Sequence, residues 1–264
     1  MMDTRRHDAS AESLMPELVL PIDLSTNLCQ QIRRALYPVA VRTELQREIR
    51  SISLLVRVPA HCGPDLSERL ETVRRHAKVA SVIGVYLDKH SDLRMVAPLR
   101  QHGLQEVITS DVLDQQELLR TTIGRAHRVA ESDYIWRCSG LNISEAAATV
   151  LRAALLHAHR PMSLPTLAAS LRMHERSVRK YCVQHRLPSP QWLMGWARVL
   201  TAAHYLDIGT WSIKDTAAIL GFASPSQFSN LLRRYTGLTA RALMQDGALQ
   251  SATQCAENAI NYPD

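Results

Sequence analysis

Short apolar runs alternate with amphipathic segments in the first half of the chain, from Glu17 to about residue 130. A short, almost continuously apolar run is typical of a strand buried on both faces, whereas apolar residues at every third or fourth position are typical of a helix. The runs predict strands at 18–22, 39–41, 52–58, 82–87 and 106–109, and the intervening segments predict helices at 24–36, 43–49, 92–102, after Asp65, and from Asp114 to about Val129. Five strand–helix units in this order predict an α/β domain with a five-stranded parallel sheet and helices on both faces.

The second half of the chain, from residue 144 onward, shows patterns that predict helices alone. Ser189-Pro190 starts one of them, because a proline at the first helical position gives up no useful N–H donor. This helix runs to about Leu206 and buries an apolar stripe that includes Trp192 and Trp196. At about 1.5 Å per residue it spans roughly 25 Å, so it can act as a rigid rod between the segments on either side.

The residues from Ser212 to Gly237 predict two short helices joined by a tight turn. Ser212 and Asp215 have the spacing of a capping box, and Gly221 allows the positive φ of a sharp turn. Ser224-Pro225 starts the second helix and Gly237 ends it. This helix turns Phe228, Leu231 and Leu232 inward and leaves polar and basic residues outward. The layout is that of a helix-turn-helix, whose second helix enters the DNA major groove.

These residues resemble the second helix-turn-helix of the AraC/XylS family of transcription regulators. The family pattern consists of Ala, then Gly-Phe, Ser-x-Phe, two basic residues and a terminal Gly. In this chain the positions are Ala217 and Ala218, Gly221-Phe222, Ser226-Gln227-Phe228, Arg233-Arg234 and Gly237. Thr236 stands where an aromatic residue is common. The resemblance implies an all-α DNA-binding domain with a first helix-turn-helix unit upstream.

The segment upstream provides a candidate for that first unit. Residues 163–171 resemble the first supporting helix of the family, and residues 174–185 would form the first recognition helix. Three positions depart from the family pattern: Arg172 replaces the usual turn glycine, Cys182 a large apolar residue, and Leu187 the glycine that commonly ends the helix. We therefore expect a unit that still inserts into a groove, whereas these departures leave the geometry of its turn open.

Ten residues of the two recognition segments are the candidate DNA contacts: Arg176, Ser177, Arg179, Lys180, Ser224, Ser226, Gln227, Asn230, Arg233 and Arg234. The amides of Gln227 and Asn230 suit adenine edges, and the guanidinium groups of Arg176 and Arg179 suit guanine. Arg233 and Arg234 lie later in their helix, so we expect them to hold phosphates, which position the protein without specifying a sequence. The rod between the units would let them read successive major grooves on one face of DNA.

The distribution of charge agrees with this interpretation. Residues 144–246 contain twelve Lys and Arg against five Asp and Glu, a net charge of +7 in a chain whose total is +6. Residues 1–143 are almost neutral. Neutralisation of phosphates with release of counterions supplies most of the sequence-independent affinity for DNA, so the excess charge lies where DNA binding requires it.

The order of elements in the first half, and residues 82–128 in particular, resemble the receiver domain of bacterial response regulators. In receivers an acidic pair after the first strand and an Asp after the third bind Mg²⁺ and accept a phosphoryl group, while a Thr or Ser and a Lys follow the last two strands. Here Asp23 could stand for one of the acidic pair, but the third strand ends on Arg57-Val58-Pro59. Leu87 and Ser110 lie near the other two positions.

Phosphoryl transfer to a side chain needs a carboxylate beside a cation held by other carboxylates. The third strand provides none, so we expect a pseudo-receiver that is not phosphorylated and serves for dimerisation or signal input. The β-barrel that commonly senses sugars in the AraC family is not expected in this half. This half shows long helical patterns, and the only two Phe of the chain lie in the other half.

The predicted organisation is a disordered tail at 1–16, a receiver-like domain at 17–130, a linker at 131–143, a DNA-binding domain at 144–246 and a flexible tail at 247–264. Within the linker, Tyr134, Ile135 and Trp136 suggest that it packs onto a domain.

Five scattered cysteines without a CxxC pair or a secretory signal favour a cytoplasmic protein. No apolar run reaches the ~18 residues of a membrane span, so no membrane association is predicted. Cys182 and His185 have ligand-like spacing, but no second pair accompanies them, so neither a metal nor a cofactor is predicted.

These patterns favour a sequence-specific transcription regulator that binds double-stranded DNA as a homodimer, with RNA polymerase as a candidate partner. The alternative is a protein–protein adaptor whose helix-turn-helix units no longer read DNA, which the intact second unit and the charge of residues 144–246 argue against. The chain carries no Gly-rich phosphate loop, nucleophile elbow or metal-ligand cluster, so an enzyme is not predicted.

Overall fold

The structure is a computed structural model that describes residues 18–22, 26–37, 40–41, 49–58, 68, 71–72, 75, 77–86, 103–209 and 212–262. The chain divides into two compact units, with the boundary between Tyr134 and Ile135. The predicted tail at 1–16, the predicted helix at 92–102 and, except for Ile49, the predicted helix at 43–49 lie outside the described residues, as do Asp23 and Leu87. Ile49 is the first residue of a strand.

Five parallel strands form one sheet in the first unit. They are β1 (Leu18–Ile22), β2 (Ala40–Val41), β3 (Ile49–Val58), β4 (Ala77–Tyr86) and β5 (Leu104–Thr109). Their order is β2-β1-β3-β4-β5, and every neighbouring pair is parallel. This is one of the common orders of a doubly wound sheet, in which the direction of the crossovers reverses between β1 and β3.

The strands β3 and β4 extend further than their apolar runs predict. They start at Ile49 and Ala77, whereas the apolar runs start at Ile52 and Val82. Ser53 and Ser81 lie opposite each other and are fully buried, and their hydroxyl groups form a hydrogen bond of 2.6 Å. A parallel ladder is made by the backbone, so a strand can continue beyond its apolar run, and the Ser53–Ser81 hydrogen bond satisfies two hydroxyl groups within the buried sheet.

The helices described over their full length beside this sheet are α1 (Thr26–Leu36), α2 (Ser110–Leu113) and α3 (Gln116–Ser139). The described residues 68, 71, 72 and 75, in the segment predicted as a helix after Asp65, are helical as well. One buried cluster joins α1 and α3 to the sheet through Ile32, Leu36, Leu119, Ile123, Leu55, Ile83 and Ile108. Asp114 ends α2 instead of starting the following helix, and its carboxylate accepts a hydrogen bond of 3.0 Å from Gln31.

The second unit consists of helices. They are α4 (Glu145–Leu155), α5 (Leu164–Ser170), α6 (Glu175–Gln184), α7 (Pro190–Ile208), α8 (Ile213–Ile219), α9 (Pro225–Thr236), α10 (Ala240–Gln245) and α11 (Ala248–Asn261). The central helix is α7, which is buried on nearly all sides, as expected of a helix that is apolar all round. None of the helices in the described part of the chain has the length and apolar content of a membrane span.

Two segments differ from the predicted organisation. Residues 131–139, expected to belong to a linker, are the end of α3, and Gly140 with φ 59° follows that helix. Ile135 is buried in the core of the second unit, which explains why the helix continues.

Residues 247–264, expected to be a flexible tail, contain the ordered helix α11. Ala252, Ala256 and Ile260 form its buried face. Asp207 of α7 accepts hydrogen bonds from the N–H groups of Ala248 (2.6 Å) and Leu249 (2.9 Å). Because Gly247 has no side chain to cap the helix, a carboxylate from another helix performs that task.

Candidate nucleic-acid interface

The helices α8 and α9 form the second helix-turn-helix unit, and local hydrogen bonds define their ends. Ser212 and Asp215 make both bonds of a capping box, at 3.2 and 3.3 Å. Gly221, with φ 69°, forms the turn. The Ser224 hydroxyl accepts a hydrogen bond from the Gln227 N–H (3.2 Å), and Gly237, with φ 72°, ends α9. These are the signals by which the sequence predicts this unit.

The helices α5 and α6 form the first unit, and its turn retains the geometry of the second. Arg172 adopts φ 53°, in the left-handed region that Gly221 occupies in the other turn. The N–H groups of Arg172 and Met173 donate to Ala169 (3.1 Å) and Ala168 (2.9 Å).

The equivalent groups of Gly221 and Phe222 in the second turn donate to Ala218 (3.0 Å) and Ala217 (2.9 Å). The departures from the family pattern left the geometry of this turn open, and the structure shows that it matches the second turn. Arg172 keeps the geometry at the cost of a strained backbone, because a left-handed conformation brings the β-carbon of a non-glycine residue close to its own backbone.

The face of α9 opposite the core carries the candidate contacts. Phe228 and Leu232 are buried, whereas Ser226, Gln227, Asn230, Arg233 and Arg234 are exposed. At about 100° per residue, these five positions fall within one arc of about 120°. Ser224 differs, because it is only half-exposed and its hydroxyl already accepts the capping bond.

The helix α6 exposes the candidate contacts of the first unit. Val178 and Cys182 are buried, and Arg176, Ser177, Arg179 and Lys180 are exposed. Arg176, Ser177 and Lys180 line an open cleft of about 750 Å³ between α5 and α6. Burial raises the pKa of the Cys182 thiol, so this side chain acts as an apolar packing residue.

The two recognition helices differ towards their C-terminal ends. Aligned on their N-caps, His174 and Ser224, α6 has Val183 and Gln184 where α9 has Arg233 and Arg234. Val183 is 77% exposed. Of the two recognition helices, only α9 therefore carries a pair of basic residues in its last turn.

An aromatic cluster joins α9 to α7. The rings of Trp192 and Tyr235 stack at 4.2 Å with an angle of 23°, and Trp196 meets both rings edge-on. Gly195 makes room for this cluster, because a β-carbon at that position would lie 1.8 Å from the Tyr235 hydroxyl oxygen. Burial raises the pKa of Tyr235, and the charge of Arg234 opposes this shift.

Arg198 of α7 contacts the turn of the second unit, and sequence reasoning missed it. Its guanidinium group donates to the Leu220 carbonyl (2.9 Å) at the end of α8 and lies 4.0 Å from the ring centre of Phe222. Burial lowers the pKa of Arg198. The signal in the sequence is a single arginine within the apolar run 192–206, where a charged side chain needs a specific partner.

Residues 167–246 match a family model described as a helix-turn-helix domain. The match covers the whole of the second unit and all but the first turn of the first unit. No curated protein sequence matches the chain.

Several solved structures are similar to parts of the chain. A DNA-binding transcriptional dual regulator from Escherichia coli K-12 is 23% identical, with a TM-score of 0.36, covering 40% of this chain and 94% of that chain. The DNA-binding domain of AdpA in complex with a target DNA is 28% identical, with a TM-score of 0.31, covering 46% and 99%. The transcriptional regulator CdpR from Pseudomonas aeruginosa is 14% identical, with a TM-score of 0.33, covering 90% and 81%. Because these TM-scores are low, the three structures support no conclusion about this chain. The evidence for a helix-turn-helix domain is the geometry of the two units and the family model.

Proposed function

We propose that this protein is a sequence-specific DNA-binding transcription regulator of the AraC type. One observation carries the proposal: two helix-turn-helix units with the same turn hydrogen bonds each expose a polar and basic helix face. The family model over residues 167–246 supports the same conclusion.

Both units flank a single buried helix, α7, and this supports a joint mode of reading. The α5–α6 unit precedes α7, and the α8–α9 unit follows it and is attached through Arg198 and Tyr235. A rod of 19 residues is about 28 Å long, close to the ~34 Å that separates successive major grooves on one face of DNA. In our proposal α6 and α9 insert into adjacent major grooves.

Roles for the candidate residues follow from their positions. Arg176, Arg179, Gln227 and Asn230 occupy the first two turns of their helices and would meet base edges. Arg233 and Arg234 would contact phosphates. Ser224 would act as the cap of α9 through its hydroxyl, which accepts a hydrogen bond from the Gln227 N–H.

For the first unit of the chain, we propose a receiver-like domain that serves dimerisation or signal input without phosphorylation. The strand order β2-β1-β3-β4-β5 supports the receiver-like architecture. In receivers the phosphoryl acceptor follows the third strand, and here β3 ends on Arg57-Val58, without a carboxylate.

Selection of binding sites from random DNA tests the regulator function directly. The full-length protein is expected to enrich one pair of motifs about one helical turn apart, and to bind that duplex about a thousandfold more tightly than random DNA at physiological salt. Enrichment of no sequence, together with weak and uniform binding to all duplexes, would instead favour the adaptor.

A further inference from the structure

Arg234 is the exposed recognition-helix arginine that α7 holds in place. Its guanidinium carbon lies 5.9 Å from the ring centre of Trp192, within the range of a cation–π interaction. The side chain belongs to the exposed arc of α9 but lies at the edge nearest to the aromatic cluster, next to Tyr235 in the chain. The ring of Trp192 can therefore restrict where the charged group of Arg234 points.

Trp192 is itself fixed from several directions. Tyr235 stacks on its ring at 4.2 Å and Trp196 meets the ring edge-on at 6.4 Å, while its backbone N–H donates to the Ser189 hydroxyl that caps α7 (3.3 Å). The close approach of Tyr235 depends on the missing side chain of Gly195. A ring held in this way is a rigid support for a flexible arginine.

Arg233 provides an internal comparison. It is exposed, belongs to the same helix and carries the same charge, but among the described residues no aromatic ring lies against its guanidinium group. The pair therefore consists of one supported and one unsupported arginine at adjacent positions.

Support of this kind favours binding of an anion. A free arginine loses much of its rotamer freedom when it binds, whereas a side chain that is already restricted loses less. A guanidinium group attracted to an aromatic ring still has N–H donors that can bind a phosphate in bidentate fashion.

We propose that Trp192 is a positioning residue that pre-orients Arg234 for contact with a backbone phosphate of duplex DNA. This inference rests on the proposed DNA-binding function and adds a residue outside the recognition helices to the interface. It also assigns different weights to two neighbouring arginines: Arg234 contributes more to affinity than Arg233 does.

A double-mutant cycle on the full-length protein tests the coupling. The probe is a random-sequence duplex of about 30 base pairs, because a phosphate contact needs no particular sequence. Trp192→Leu is expected to weaken binding about fivefold in the wild-type background and in an Arg233→Ala background, but less than about twofold in an Arg234→Ala background. In a plot of log affinity against log salt concentration, the slope for Arg234→Ala should be smaller in magnitude than that for the wild-type protein by about 0.9, as expected for one lost phosphate contact.

Trp192→Phe provides the milder variant, since phenylalanine keeps a ring face that attracts cations more weakly than that of tryptophan. It is expected to reduce affinity in the same direction but less, and again only while Arg234 is present. If circular dichroism shows that Trp192→Leu does not fold, Trp192→Phe still tests the coupling between Trp192 and Arg234.

Equal losses in the Arg233→Ala and Arg234→Ala backgrounds, or no loss in any background, would overturn this inference alone. Absence of salt-dependent binding of the wild-type protein to any duplex would overturn the proposed function, and this inference with it.

Discussion

The backbone of Arg172 is strained at the turn of the first helix-turn-helix unit, since φ is 53° there. We expect Arg172→Gly to raise the free energy of unfolding by up to about 1 kcal/mol. The substitution removes the ~1–2 kcal/mol cost of the left-handed conformation, but glycine loses more backbone entropy on folding, which offsets part of this gain. Arg172→Ala keeps the β-carbon and should give no such gain. The measurement is urea unfolding followed by tryptophan fluorescence, which reports on the second unit because all four Trp lie between residues 136 and 211.

The reverse change at the other turn is the complementary test. A β-carbon at Gly221 would find ordinary contacts, 3.6 Å to Pro161 and 3.9 Å to the His159 carbonyl oxygen, so only the backbone opposes it. Gly221→Ala should therefore lower the free energy of unfolding by about 1 kcal/mol. An unchanged midpoint for both Arg172→Gly and Gly221→Ala would show that neither turn stores strain.

The exposed side chains of α6 and α9 should divide into two classes when DNA binding is measured. Arg176→Ala and Gln227→Ala are expected to cost about 1–3 kcal/mol on the selected site and to relax the base preference, since each removes contacts to base edges. Arg233→Ala should weaken binding to selected and random duplexes alike and flatten the salt dependence. Competition binding at several salt concentrations separates the classes, and uniform losses for all three variants would contradict the assignment of base contacts.

At the scale of elements, α11 depends on a cap supplied by another helix. Asp207→Ala leaves the N–H groups of Ala248 and Leu249 without their acceptor, and we expect it to lower the free energy of unfolding by about 1–2 kcal/mol. Hydrogen exchange should then be faster over the first turn of α11, with α4 unaffected. Asp246→Ala is the matched control, because this nearby exposed carboxylate makes no capping hydrogen bond to α11 among the described residues and its loss should leave exchange unchanged.

At the scale of the whole molecule, the prediction concerns control of DNA binding. A modification can shift an equilibrium only if it favours one of two states, and here no carboxylate of β3 can accept a phosphoryl group. Acetyl phosphate with Mg²⁺ should therefore leave the mass, the sedimentation coefficient and the DNA affinity of the full-length protein unchanged. A labile adduct on an aspartate in the intact-mass spectrum would contradict the pseudo-receiver.

Dimerisation is also a property of the whole molecule. If the first unit joins two copies, the second DNA-binding domain acts at a high effective concentration, and affinity for a duplex with two sites should exceed that for one site by about a hundredfold or more. Sedimentation over a range of concentrations, combined with binding to one-site and two-site duplexes, measures both effects. A strictly monomeric protein with equal affinity for both duplexes would remove the dimerisation role.

The sequence by itself determined the elements whose ends are encoded locally. Ser212 with Asp215, Ser189-Pro190, Ser224-Pro225 and Gly237 each satisfy or replace backbone groups within a few residues, so their effect does not depend on the rest of the chain. The apolar runs likewise predict β1 with its observed bounds and the central parts of the longer strands.

The tertiary structure decided the features in which distant residues satisfy each other. Ser53 and Ser81 satisfy each other within the buried sheet, Asp207 caps a helix that begins 41 residues later, and Arg198 binds a carbonyl of the second turn. Arg172 takes a conformation that local preference disfavours, because the packing of α5 and α6 outweighs a strain of about 1–2 kcal/mol. The neighbours of these residues in the sequence do not reveal these outcomes, because each outcome depends on groups that only folding brings close together.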